Sequence, residues 1–113
     1  MKYKMICIDM DGTLLGKRKR ISERNKNAIK QAHDKGIEIV VTTGRLYNNA
    51  AYFSKLLGVD SPVIAANGAI VIDQKNNEVI YECGIPKDEC IKILKILIKY
   101  NSFFQFNTRN MIY

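Results

Sequence analysis

The sequence has no tryptophan, only two prolines, three cysteines and a single histidine among its 113 residues. Cys7, Cys83 and Cys90 are odd in number and form no C-x-x-C pair, and His33 is the one imidazole that could join them. Neither a disulfide framework nor a zinc site is expected from that set. The thiols are expected to be reduced and structural, with Cys7 a small buried residue in an apolar strand. Long apolar runs are missing too: the stretch 37–41 is broken by Glu38, far short of the roughly 20 residues that span a bilayer. The N-terminus reaches Asp9 before a signal-like hydrophobic region of about 7–15 residues can form, so no secretory signal is expected and cytoplasm is the expected compartment. Acidic residues are in the minority, 11 Asp+Glu against 18 Lys+Arg, for a formal net charge of +7. The densest basic run is Lys17-Arg18-Lys19-Arg20, and the other cations, such as Lys30, Lys55, Lys92 and Lys99, are scattered through helix-like segments as on solvated faces. No nucleic-acid or membrane partner is expected. A basic surface does raise the local concentration of anionic ligands, phosphorylated metabolites included.

Hydrophobic residues make up 47% of the chain. At this length a single domain can bury roughly 65% of the surface its unfolded form exposes, enough for a core without staples. The pattern begins with a β-rich apolar run at 3–8 that ends in Asp9-Met10-Asp11-Gly12. Ser22 is placed to cap a helix over 23–35, with Ala28, Ile29 and Ala32 on its buried face and Gly36 as its stop. A second strand, 37–42, ends in Thr42-Thr43-Gly44-Arg45, a second helix follows over 46–57, and a third strand, 62–66, ends at Asn67-Gly68. Short apolar strands alternating with helices predict an α/β architecture, a doubly wound parallel sheet with helices on its faces.

The rhythm then changes. Residues 69–72 and 78–82 are two β-like runs joined by a loop short enough for a hairpin. After Gly84-Ile85-Pro86, the spacing of Ile91, Leu94, Leu97 and Ile98 opposite Lys92, Lys95 and Lys99 predicts an amphipathic helix over 87–100. Its apolar face is expected to pack on following strands at 103–106 and 110–113 rather than on a membrane.

The chemistry concentrates in Asp9-Met10-Asp11-Gly12-Thr13, where two carboxylates two residues apart reach a strand end and a glycine turn. At average residue usage D-x-D-G-T arises by chance about 10⁻³ times in a chain this long. An EF-hand loop also opens D-x-D, but its fifth, sixth and twelfth positions would be Thr13, Leu14 and Arg20, which cannot supply its ligands or its glycine.

Residues 9–15 resemble the first signature of the haloacid dehalogenase superfamily of phosphohydrolases, and Thr42-Thr43-Gly44-Arg45 resembles the second. Ala66-Asn67-Gly68-Ala69-Ile70, followed by a hairpin and then a helix near Pro86, is similar to the Cof-like branch, in which a cap domain is inserted after the third strand. The resemblance implies a Rossmann-like core over 1–82 and the beginning of an α+β cap over 83–113. It implies Asp9 as the nucleophile that forms an aspartyl-phosphate and Asp11 as the general acid and base. It implies Mg²⁺, bound at Asp9 and Asp11 through the carboxylate of the first and the backbone carbonyl of the second. Thr43 through its hydroxyl and Gly44 through its N–H are implied as phosphate ligands, with Arg45 and Asn67 as further contributors. Taken as residues alone, Thr43 also fits a helix cap, Arg45 a solvated helix start and Asn67 a turn.

The family's later signatures, a lysine and a G-D-x-x-N-D cluster, have no counterpart here, and no Gly-Asp pair occurs in the chain. The sequence therefore reads as the N-terminal portion of a phosphatase of small phosphorylated metabolites, nearly inactive by itself and prone to self-association through uncovered sheet edges. The alternative is a non-catalytic phosphate-binding or assembly module.

Overall fold

The structure, a computed structural model, describes residues 2–109. Its sheet grows from β1 (Met5–Asp9), β2 (Glu38–Thr42), β3 (Val63–Ala65), β4 (Ile70–Asp73) and β5 (Glu78–Glu82), lying side by side in chain order. β1, β2 and β3 are parallel, and the hairpin of β4 and β5 joins the same sheet antiparallel to β3. The crossovers run through α1 (Glu23–Asp34) and α2 (Tyr47–Lys55), and α3 (Lys87–Lys99) follows the sheet. The result is the expected α/β arrangement, with an antiparallel extension that makes the sheet mixed.

Side-chain alternation explains the core. Ile39 and Val41 on β2, Val63 and Ala65 on β3, and Ile70 and Ile72 on β4 are two residues apart, so each pair faces the same side of the sheet. They pack in one cluster with Met10, Leu14, Leu15, Ile21, Ile29, Leu57 and Val59. Ser22 caps α1 as its sequence predicts, its Oγ accepting from the Asn25 N–H at 3.1 Å. Gly36 at φ +80° closes the other end, a left-handed backbone open to glycine at little cost.

Several expectations fail, each for a packing reason. Ala28 is exposed; the inner line of α1 runs instead through Ile29, which is buried, and Ala32, which is half-buried. β1 pairs with β2 alone among the described strands, and Met5, Ile6 and Cys7 are exposed, so Cys7 is an accessible thiol rather than a buried one. α3 buries none of its residues: Leu94 and Leu97 are half-buried, while Ile91, Ile93, Ile96 and Ile98 are exposed. The strand expected at 103–106 does not form, and Phe103 is 96% exposed. Its expected partner at 110–113 lies outside the described residues.

Candidate active site

The parallel strands bring their carboxyl ends into line. In the register Asp9 stands beside Thr42, and Thr42 beside Ile64, so the polar turns after β1, β2 and β3 share the end of the sheet where α/β folds place ligands. Three backbone bonds tie the latter two turns together: Thr43 N–H to Ile64 O at 2.9 Å, Ala66 N–H to Arg45 O at 2.9 Å, and Asn67 N–H to Thr43 O at 3.1 Å.

After β1 the chain turns back through Gly12 at φ +81°. The Thr13 hydroxyl donates to Asp9 Oδ2 at 3.0 Å, fixing the carboxylate's rotation. Thr13 stands in the sequence signature, but only the fold gives it that orienting role. Met10, between the two aspartates, is fully buried and anchors the turn. Beyond it, Leu15 and Ile21 pair across a tight flap in which Gly16 N–H donates to Arg20 O at 3.1 Å. The flap carries Lys17, Arg18 and Lys19 in a single 3₁₀ turn, with Arg18 and Lys19 at φ +70° and +52°.

Thr43 is not a helix cap, since the residue preceding α2 is Leu46. Its Oγ1, 94% removed from solvent with the rest of the residue, accepts from the Arg45 N–H at 3.1 Å, which leaves the hydroxyl proton free to donate. Gly44 lies against Asn67: a Cβ there would stand 2.7 Å from Asn67 Oδ1 and would push that side chain aside. Asn67 itself sits at φ +55°, the left-handed backbone Asn tolerates best after glycine.

Arg45 joins the two signatures. Its Nε and Nη2 each donate to one oxygen of Asp11, both at 2.6 Å. The planar guanidinium matches the carboxylate edge to edge. Nη1 donates to Asn49 Oδ1, and the guanidinium lies over the Phe53 ring, 4.9 Å from its centroid. Hydrogen bonding from Arg45 holds the Asp11 carboxyl below its ordinary pKa, with the charges of Arg45 and Lys19 acting in the same direction against partial burial. The sequence reading missed Asn49 and Phe53. The signal available was their spacing of four and eight residues from Arg45, on the same face of α2.

The six residues singled out by sequence, Asp9, Asp11, Thr43, Gly44, Arg45 and Asn67, thus lie on three adjoining turns. For a divalent cation the donor set is hard oxygen, which fits Mg²⁺, and Asp9 Oδ1 takes no hydrogen bond from any described residue. The set is partial: among the described residues no group of three acidic, His or Cys side chains can hold an ion, and the Asp11 carboxylate is engaged by Arg45. A cavity of about 240 Å³ opens beside the turns after β2 and β3, lined by Leu46, Tyr47, Ala66, Glu82, Cys83 and Arg109, and Arg109 pairs with Glu82 across it.

The family model for haloacid dehalogenase-like hydrolases matches residues 6–113. Phosphatase YwpJ of Bacillus subtilis is 38% identical over 110 residues, which cover 97% of this chain and 38% of that protein. The 5-amino-6-(5-phospho-D-ribitylamino)uracil phosphatase YwtE of the same organism is 47% identical over 107 residues, covering 93% of this chain and 36% of the relative. The solved structure of a haloacid dehalogenase-like hydrolase from B. subtilis superposes with a TM-score of 0.86 at 37% identity, over 97% of this chain and 38% of that one. The chain therefore spans well under half the length of the relatives it matches. With its signature residues on adjoining strand ends and the family model matching from β1 onward, the chain belongs to the haloacid dehalogenase-like hydrolase family.

Proposed function

We propose that this chain supplies the nucleophile and the phosphate-binding turns of a phosphohydrolase acting on small phosphorylated metabolites in the cytoplasm. The observation that carries the reading is Asp9, oriented by Thr13 and aligned by strand register with the Thr43 turn. Within it, residues 1–82 are the N-terminal part of the core and 83–113 the beginning of a cap, separated where the sheet ends at Glu82 and Gly84-Ile85-Pro86 lead into α3.

An Asp9 carboxylate oxygen attacks phosphorus, the bond from phosphorus to the ester oxygen breaks, and an aspartyl-phosphate forms. The Thr43 hydroxyl, the Gly44 N–H and the Asn67 amide donate to the phosphoryl oxygens, whose charge grows in the transition state. Arg45 moves from Asp11 onto the phosphate. Freed of that partner, Asp11 can take up a proton, give it to the leaving alkoxide, and then remove one from the water that hydrolyses the aspartyl-phosphate. Asp9 and Asp11 would hold Mg²⁺, which would supply the positive charge that lets a carboxylate approach a phosphate dianion. The cavity beside Arg45 and Asn67 takes the organic part of the ester; the names of the relatives, one of them a phosphatase of a ribitylaminouracil phosphate, support a small phosphomonoester.

The test is a screen of phosphorylated metabolites, with and without Mg²⁺, against the product of the whole reading frame that encodes these residues. Phosphate release is expected, with Asp9→Asn lowering kcat by about a thousandfold or more. Turnover that survives Asp9→Asn unchanged overturns the reading. The partial donor set favours a second reading for the 113 residues acting by themselves, a phosphate-binding module without turnover. In that case phosphate binding that depends on Thr43 persists while hydrolysis is absent.

A further inference from the structure

A second basic feature adjoins the site described above. The flap, the start of α1 and the outer side of α2 enclose a cleft of about 470 Å³ whose walls include Arg18, Lys19, Arg20, Lys26, Tyr52 and Phe53. That volume is within the range of small-molecule sites. Lys26 is neutralised by Glu23 at 3.0 Å, but among the described residues Arg18, Lys19 and Arg20 have no salt-bridge partner. Three successive cations repel one another, and two of them are held in the left-handed backbone region, which is unfavourable for non-glycine residues. An anion seated among them relieves the repulsion. The opposite wall is aromatic: Tyr52 is 61% exposed and meets Phe53 edge to face, centroids 5.2 Å apart. An exposed ring lining the same cleft as guanidinium and ammonium groups is a combination that recognises a planar base carrying a phosphate.

We propose that this cleft is a second ligand site, selective for a phosphate ester of an aromatic base, with a nucleoside monophosphate as its class. Arg18, Lys19 and Arg20 take the phosphate and Tyr52 stacks on the base. The site shares Phe53 with the Arg45 stack, so its occupant adjoins the candidate active site without using Asp9 or Thr43. The proposal does not depend on the phosphatase reading.

The probe is AMP, titrated into the 113-residue chain without Mg²⁺ and followed by calorimetry, with adenosine and inorganic phosphate as its two halves. AMP is expected to bind with a Kd of about 0.1–1 mM, and each half at least tenfold more weakly. In a Thr43→Val background, which removes the Thr43-dependent phosphate binding of the first site, the double variant Arg18→Ala/Arg20→Ala and the single variant Tyr52→Ala should each weaken AMP at least tenfold. Arg18, Arg20 and Tyr52 are exposed and their loss leaves the core intact, which far-ultraviolet circular dichroism verifies; Arg20→Glu should weaken AMP further than Arg20→Ala. Loss of AMP binding on Thr43→Val with Arg18→Ala/Arg20→Ala silent would assign the binding to the first site and overturn the proposal. So would phosphate binding as tightly as AMP, absence of AMP binding up to about 10 mM, or preference for oligothymidylate with a steep salt dependence.

Discussion

At the scale of single residues the ion pair between Asp11 and Arg45 governs how the candidate site responds to pH. Arg45 lowers the Asp11 carboxyl below 3.8. A carboxylate depressed in the folded state contributes stability that is fully present above its unfolded pKa and is lost as pH falls through the depressed value. The pair is therefore intact from neutral pH down to the ordinary carboxylate range and breaks only in stronger acid. A carbon-detected NMR titration of the Asp11 carboxyl should give a midpoint below 3.8, and Arg45→Met should move that midpoint upward; coincident titration curves for the two proteins would contradict the assignment. Asp9, Asp11, Thr43 and Arg45 were legible in the sequence because each lies in a contiguous signature at a strand end, where local order dictates position. The bond from Arg45 to Asp11 was not, because it joins residues 34 apart and only strand register brings them together. Nor was the stacking of Phe53 on Arg45, since apolar spacing on a helix says which residues face inward and not which cation lies over a ring.

At the scale of elements, local signals served where they were self-contained. The Ser22 cap is of this kind, its side chain bonding three residues ahead in its own helix. Ser22→Ala should cost about 1 kcal/mol in urea denaturation, and an unchanged midpoint would mean that tertiary contacts alone hold the start of α1. Strand ends shifted by one or two residues from the sequence reading, as at Met5 and Val63, because pairing with a neighbour rather than propensity sets where a strand begins. α3 is the instructive failure. Its periodicity predicted a helix, which forms at Lys87–Lys99, and also a buried face, which does not. Amphipathic spacing specifies a face capable of burial; covering it takes a surface supplied by another element, and among the described residues none does so. The same reasoning applies to Cys7, whose apolar neighbours implied a core strand while the sheet order makes β1 an edge.

For the whole molecule, among the described residues the sheet exposes one edge at β1 and another at β5, and unpaired backbone N–H and C=O groups there can template pairing with another chain. Met5, Ile6, Tyr81 and Ile80 leave apolar surface beside those edges. Light scattering over a concentration series should show an average mass rising above 12.9 kDa, and Ile6→Lys should return it toward the monomer, since an edge lysine opposes strand addition. A mass independent of concentration would count against association. The order of the strands across the sheet is also the order in which they are synthesised, β1 to β5. Each new strand emerging from the ribosome meets a partner already made, and none must insert between two earlier ones. Assembly can proceed by addition at one growing edge, so the loop-closure entropy of each step is set by the nearest preceding strand rather than by the length of chain already folded.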